Sequence, residues 1–154
     1  VVWRRSRDNS RTPMQWSDAE NAGFSKAEPW LKVNPNYQEI NVEENLKNDN
    51  SIFYFYKELI KLRKNSPYQE IIVEGKYQPL LESDPNLIAY LREKEGEKLL
   101  LAANFKNKEV EINLDYQVAE IILSNYPDYD YQDLKNKKLD YQLSSFETIL
   151  LKVK

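Results

Sequence analysis

The sequence predicts a mainly β protein, in which a long loop and one amphipathic helix precede a C-terminal antiparallel β-sandwich. Three observations predict this fold class. Residues 1–48 show no sustained periodicity and are rich in turn-forming residues. Apolar residues then recur at helical spacing between residues 51 and 65. After Pro67, short apolar runs alternate with turn signals, a pattern typical of antiparallel sandwiches and barrels.

The first segment is predicted to be an ordered loop. Aromatic residues are embedded in its turn sequences, which are Asn21-Ala22-Gly23-Phe24, Pro29-Trp30 and Asn34-Pro35-Asn36-Tyr37. We expect Trp16, Trp30 and Tyr37 to anchor the loop by packing on a neighbouring surface, although such rings also stack on sugars. Residues 39–42 are predicted to form a short extended piece.

The helix is predicted at about 51–65. Asp49, Asn50 or Ser51 can cap its start, and Asn65-Ser66-Pro67 ends it. Its apolar stripe is too broad for a lone helix in water. The stripe therefore either covers one face of the sandwich or packs on a surface outside this chain.

The sandwich is predicted from eight short strands. Glu109-Val110-Glu111-Ile112-Asn113-Leu114 alternates cleanly, as a strand with one wet face does, and Glu95-Gly96 indicates a hairpin turn. Residues 125–138 are predicted to be a solvated loop, not a sugar or calcium site. The predicted strands are 70–74, 77–81, 86–93, 97–105, 108–114, 118–124, 139–143 and 146–153.

Composition excludes several classes of function. The chain has 154 residues and a net charge of -3, which does not favour a nucleic-acid surface. No apolar run approaches the roughly 18–20 residues that cross a membrane. Cysteine and histidine are both absent, so disulfides, thiolate or imidazole metal sites and histidine-dependent catalysis are excluded. The absence of cysteine is compatible with a reducing compartment, and our expectation is a cytoplasmic location with no cofactor and no metal.

The densest run of special chemistry is Arg7-Asp8-Asn9-Ser10-Arg11-Thr12-Pro13-Met14-Gln15-Trp16. Pro13 fixes its own φ and pushes Thr12 toward an extended conformation. The Asp-Asn-Ser run favours a tight turn, because these side chains bond their own backbone. The pattern predicts a stiff loop that holds Arg11 in one place.

That run and several shorter stretches that follow it resemble one family over nearly the whole chain. With the turn sequences above and Ile40-Asn41-Val42, they are similar to the oligo-1,6-glucosidase group of glycoside hydrolase family 13, the α-amylase superfamily. The group includes dextran glucosidase, trehalose-6-phosphate hydrolase and sucrose isomerase. Residues 49–64 resemble the last helix of the family's barrel, and three later stretches resemble its β-domain: Leu87 to Leu91, Lys98 to Phe105 and Leu123 to Tyr126.

The resemblance implies a domain division and a missing part. Residues 1–67 would be the loop after strand 8 and the last helix of a truncated (β/α)8 barrel, and residues 68–154 the sandwich. A complete barrel takes about 250 residues, which this chain cannot hold. The family's nucleophile, acid/base and stabilising carboxylates belong to upstream segments. The resemblance therefore implies a C-terminal fragment of an α-glucosidase, inactive by itself.

The same resemblance implies one substrate-binding residue and suggests a second. The arginine just before the threonine-proline pair, here Arg11, reaches the glucose at the non-reducing end, whose hydroxyls suit a planar fork of donors. Its alternative role is to pin the loop. Arg7 either braces the loop or lines the pocket rim. Asp8, Asp18 and Glu20 are expected to bond turns and pair with cations, because nothing here fixes two carboxylates across a glycosidic bond.

The implied partners are an α-linked gluco-oligosaccharide in the intact enzyme and the preceding barrel segment, with no nucleic acid and no membrane. Isomaltose, dextran ends, trehalose 6-phosphate and sucrose remain alternative substrates. Two other functions stay open. One is a non-catalytic carbohydrate-binding module, and the other is one half of a split enzyme with an assembly role.

Overall fold

Residues 7–154 are described by the computed structural model, with Arg7 and Asn9 described by their backbone alone. Short 3-10 turns cover Arg7–Ser10, Glu20–Gly23 and Pro35–Gln38. Three helices follow: α1 (Val42–Lys47), α2 (Ile52–Asn65) and α3 (Gln69–Glu74). No helix among the residues described is long and apolar enough to cross a membrane.

Six antiparallel strands make up most of the remaining chain. They are β1 (Lys76–Leu80), β2 (Leu87–Lys94), β3 (Glu97–Asn104), β4 (Val110–Ser124), β5 (Lys138–Leu143) and β6 (Thr148–Val153). Their order in the sheet is β1-β2-β3-β6-β4-β5. The predicted mainly β, antiparallel fold class is confirmed.

The long strand β4 joins the edge strand β5 to β6. Its first half pairs with β5 and its second half pairs with β6. The register shifts between Leu114 and Gln117, and again twice along the pairing with β6, which is how bulges bend a strand. Because of that bend, both halves of the sheet share one buried cluster, as in a sandwich. Its largest members are Leu91, Leu100, Ile112, Leu139, Leu143, Ile149 and Leu151.

Three expectations about the elements need correction. The strand predicted at 70–74 is wrong, because this segment forms α3, in which Ile71 alone is buried. The extended piece predicted at 39–42 runs instead into α1, whose first residue is Val42. The strands predicted at 108–114 and 118–124 are the single strand β4, interrupted only by its bulge.

Helix α2 forms where the stripe predicts, and Ser51 lies at its start, where its carbonyl oxygen accepts the Phe55 N–H at 3.0 Å. None of its residues is buried, however. Ile52, Tyr56 and Ile60 recur every four residues on one face and are 74%, 62% and 54% exposed. The described part of the chain therefore leaves this face open to solvent.

The chain divides into two compact units between Glu58 and Leu59. The first holds the 3-10 turns, α1 and the start of α2. The second holds the end of α2, α3 and the sheet. The boundary predicted after residue 67 stays a prediction.

Candidate functional site

The predicted site centres on the segment 11–16. A 3-10 turn over Arg7–Ser10 precedes it, and the Arg11 N–H donates to the Asp8 carbonyl at 3.1 Å. The Arg11 side chain is exposed, whereas Pro13 is buried. The turn predicted from the Asp-Asn-Ser run therefore forms and leaves the Arg11 guanidinium accessible. The side chain of Arg7 lies outside the described residues.

Backbone hydrogen bonds hold residues 15 and 16 from two sides. On one side, the N–H groups of Val42 and Glu43 donate to the carbonyls of Gln15 and Trp16, each at 3.0 Å. On the other side, the Ala22 carbonyl accepts the Trp16 N–H at 2.9 Å and the Ser17 N–H at 3.2 Å. Both backbone polar groups of Trp16 are thus satisfied, which fixes the end of the segment.

The side chain of Gln15 adds a third attachment. Its Nε2 donates to Asn36 Oδ1 at 3.1 Å and to the Ile40 carbonyl. Asn34 in turn accepts the Asn36 N–H with its side chain and caps the Pro35–Gln38 turn. This glutamine therefore bonds the segment 11–16 to the Asn34–Tyr37 turn sequence and to residue 40.

Asn41 organises the same region and was missed in the sequence. Its side chain is buried, accepts the Glu44 N–H at 2.9 Å and donates to the Tyr37 carbonyl at 2.9 Å. The bond to Glu44 caps the start of α1, where the Val42 and Glu43 N–H groups already donate to the segment 15–16. The signal was present, because an Asn followed three residues later by Glu is a helix-start pattern.

The aromatic residues expected to anchor the loop remain largely accessible. Trp16 is 51% exposed and Trp30 is 90% exposed, while Tyr37 is half-buried. Their anchoring on a neighbouring surface stays a prediction.

The acidic residues of this region do not form a catalytic pair. Asp8, Asp18 and Glu20 are all exposed. Glycosidase carboxylates need a fixed separation across the scissile bond, which accessible loop side chains do not provide. Among residues 7–154, no cluster of three acidic side chains has metal-binding geometry.

A second polar cluster lies inside the sheet domain around Glu147, which sequence reasoning did not find. This carboxylate is fully buried and accepts hydrogen bonds from Tyr131 Oη (2.7 Å), Tyr141 Oη (3.2 Å) and the Ser144 N–H (2.7 Å). Burial raises the pKa of Tyr131 and of Tyr141, and the nearby carboxylate raises both further. Both oxygens of the carboxylate are bonded within the fold, so this cluster is structural.

Lys94 carries the main ion-pair network of the same unit. Its Nζ lies 2.7 Å from Glu74 Oε2 and 2.9 Å from Glu70 Oε2. These hydrogen bonds raise the pKa of Lys94. Because Lys94 is paired twice, its charge ties β2 to α3 and is not available to a ligand.

Comparisons with known proteins match both parts of the chain. The family model "Alpha amylase, catalytic domain" matches residues 1–75, and "Alpha-amylase SusG C-terminal domain" matches residues 87–150. An oligo-1,6-glucosidase of Bacillus cereus is 43% identical over 158 residues, covering 99% of this chain and 27% of that protein. A trehalose-6-phosphate hydrolase of Bacillus subtilis is 44% identical over 131 residues, covering 81% and 23%.

Solved structures of similar proteins also match nearly the whole of this chain. The trehalose-6-phosphate hydrolase of Bacillus licheniformis superposes with a TM-score of 0.84 at 41% identity, covering 96% of this chain and 26% of that one. The isomaltulose synthase of Klebsiella sp. LX3 superposes with a TM-score of 0.88 at 34% identity, and the match covers 97% of this chain and 26% of that one. The chain thus spans about a quarter of the length of the relatives it matches.

Proposed function

This chain belongs to glycoside hydrolase family 13, the α-amylase superfamily, and we propose that it supplies the C-terminal quarter of an α-glucosidase of the oligo-1,6-glucosidase group. The intact enzyme would hydrolyse α-glucosidic bonds of short oligosaccharides with retention. Such a reaction needs a nucleophilic carboxylate and an acid/base carboxylate. Both come from the part of the enzyme that this chain does not include.

The contribution of this chain is one wall of the sugar pocket, together with Arg11. The observation that carries the proposal is the segment 11–16, which is fastened at Gln15 and Trp16 yet leaves the Arg11 side chain exposed. A guanidinium offers five donors in a fixed plane, which suits the neighbouring hydroxyls of a terminal glucose. Arg7 precedes the same turn, and we propose it as a second residue at the pocket rim.

The apolar surface of α2 supports the same proposal. Ile52, Tyr56 and Ile60 are each more than half exposed. Contiguous apolar surface of this kind marks an interaction site. Since residues 1–75 match a catalytic-domain model, we assign this face to the preceding part of the barrel. The absence of cysteine is compatible with the cytoplasmic location that we assign to the enzyme.

A fusion enzyme tests this function. In it, the present chain replaces the matched quarter of the Bacillus cereus oligo-1,6-glucosidase, and hydrolysis of an aryl α-glucoside is measured beside that of the unfused 154-residue chain. We expect turnover by the fusion enzyme and none by the chain alone. Turnover by the isolated chain, or an inactive fusion enzyme that is nevertheless folded, would contradict the proposal. Isomaltose, trehalose 6-phosphate and sucrose then distinguish the substrate.

Calorimetry distinguishes the proposed function from the alternative, a non-catalytic carbohydrate-binding module. The isolated chain is titrated with isomaltose and with maltose. We expect no saturable heat, because the sugar pocket is incomplete in this chain. Saturable binding that survives the change Arg11→Ala would instead favour a carbohydrate-binding module in the sheet domain.

A further inference from the structure

Three consecutive residues adopt the left-handed backbone conformation beside the candidate site. Asn21, Ala22 and Gly23 have φ angles of 53°, 59° and 64°. Asn and Gly enter this region readily, but Ala does so at a cost, because its Cβ crowds the following carbonyl oxygen. Left-handed residues normally occur singly. A complete left-handed turn that includes Ala is therefore held in place by its surroundings.

The surroundings identify what the turn does. It directs the Ala22 carbonyl at the backbone of the preceding segment, where it accepts hydrogen bonds from the N–H groups of Trp16 and Ser17. Ala22 itself is completely buried. Gly23 lies against the same segment, since an added Cβ would stand 2.6 Å from Ser17 Oγ. The turn and residues 16–17 are therefore packed as one piece.

This attachment restricts the chain back to Arg11. Trp16 is held by Ala22 on one side and by the Glu43 N–H on the other. Arg11 is held by the Asp8 carbonyl, and the buried Pro13 stiffens the chain between the two attachments. The strained turn thus fixes one end of a short, stiff segment whose other end carries the exposed guanidinium.

We propose that the left-handed turn Asn21–Gly23 is a positioning element for the sugar pocket, and that Ala22 is its central positioning residue. The inference rests on the proposed function, because it assigns the turn a role through Arg11. By holding Trp16, the turn keeps Arg11 at the distance and angle that a terminal glucose requires. Displacement of a binding group by about 1 Å can cost about a hundredfold in rate.

Three substitutions, two at Ala22 and one at Ala102, separate the effect of backbone conformation from that of added volume at a buried site. Ala22→Gly retains the left-handed conformation without its steric cost. Ala22→Val opposes that conformation, because a β-branched side chain is disfavoured at positive φ, and it also adds volume to a buried site. Ala102→Val is the matched control, since Ala102 is equally buried but lies in strand β3 with no positive φ.

The three variants are measured in the fusion enzyme, with kcat and KM determined separately. We expect Ala22→Val to raise KM about tenfold or more, and Ala22→Gly to leave KM within about twofold of the parent. Ala102→Val is expected to lower thermal stability with KM unchanged. A role limited to stability would reduce the amount of active enzyme and would not raise KM.

Hydrogen exchange of the isolated chain gives a readout without activity. The Trp16 and Ser17 amides are expected to be protected in the parent and in Ala22→Gly, and to exchange faster in Ala22→Val. If the Ala22→Val fusion enzyme does not fold, Gly23→Ala replaces it, with the same expected direction. An unchanged KM in the folded variant, with faster exchange at Trp16, would overturn the positioning role alone. An inactive parent fusion enzyme would overturn the proposed function and this inference with it.

Discussion

Glu147 brings a carboxylate into the core with three hydrogen-bond donors around it. The change Glu147→Ala leaves two tyrosine hydroxyls and one backbone N–H without their acceptor. We expect it to lower the free energy of unfolding by about 2–4 kcal/mol, the cost of leaving partly buried donors without their acceptor. Urea denaturation of the isolated chain measures this. Glu111→Ala, an exposed position on β4, is the control and is expected to stay within about 0.5 kcal/mol. Equal losses in both variants would contradict the structural role of Glu147.

Tyr68 gives a pH dependence with a definite sign. Burial and the hydrogen bond to Glu120 at 2.6 Å raise the pKa of Tyr68 to about 12. The unfolded chain loses this proton near pH 10, where the folded chain still keeps it. The contribution of Tyr68 to the free energy of unfolding is therefore fully present below about pH 10, and it is lost as the pH rises toward about 12. Tyr131, Tyr141 and Lys94 act in the same direction, since the pKa of each is also raised.

Urea denaturation at several pH values between about 9 and 11 checks this dependence. The parent is expected to lose stability across that range, and Tyr68→Phe is expected to lose less. An equally steep loss in Tyr68→Phe would show that Tyr68 is not among the groups responsible.

Single residues differ in how well the sequence predicts them. Arg11 was singled out because it stands in a dense local motif, and its role in substrate binding stays a prediction. Glu147 was not found, because its three donors come from residues 131, 141 and 144, which only the folded sheet brings together. Ala22 was not found either, since Ala gives no sequence signal for a left-handed backbone.

Two glycines mark the ends of neighbouring elements for different physical reasons. Gly75 follows α3, and a Cβ there would stand 2.4 Å from the Ile71 carbonyl oxygen. Gly96 lies in the β2–β3 turn at φ 82°, with open space around its Cβ position. Gly96→Ala is expected to cost about 1 kcal/mol, from backbone conformation alone. Gly75→Ala is expected to cost about 2–3 kcal/mol, because backbone atoms must move.

Thermal or urea unfolding of the two glycine variants measures the loss of stability that each change causes and so tests both explanations. The pair serves as its own control, since both changes add one methyl group at an element boundary. A larger loss for Gly96→Ala than for Gly75→Ala would contradict the close approach of residue 75 to the Ile71 carbonyl oxygen.

Helix α3 shows where local preference fails. The run Ile71-Ile72-Val73 has the β-branched composition of a strand. It forms a helix because Ile71 is buried and because Lys94 pairs with Glu70 and Glu74, which lie on one helical face four residues apart. These contacts come from β2, twenty residues further along the chain, so the sequence window around 71 could not reveal them.

Over the whole chain, the sheet was predicted better than the loop. The alternating strands needed only local patterns, and the order that places β6 between β3 and β4 came from the fold. The first 48 residues were correctly expected to form turns, but the hydrogen bonds that tie residues 15 and 16 to residues 22, 36 and 42 join segments that are separated in sequence. The exposed apolar side chains of α2 are accounted for by our proposal that this helix packs on the preceding part of a barrel.

The central claim is that Arg11 binds the terminal glucose of the substrate. The most direct measurement is kcat/KM of the fusion enzyme with Arg11→Ala, compared with Lys108→Ala, a control at an exposed position in the sheet domain. Loss of hydrogen bonds from a charged donor is worth about 1.5–3 kcal/mol, so we expect kcat/KM to fall about tenfold to a hundredfold in Arg11→Ala. The Lys108→Ala enzyme is expected to match the parent. A folded Arg11→Ala fusion enzyme with unchanged kcat/KM would contradict the account.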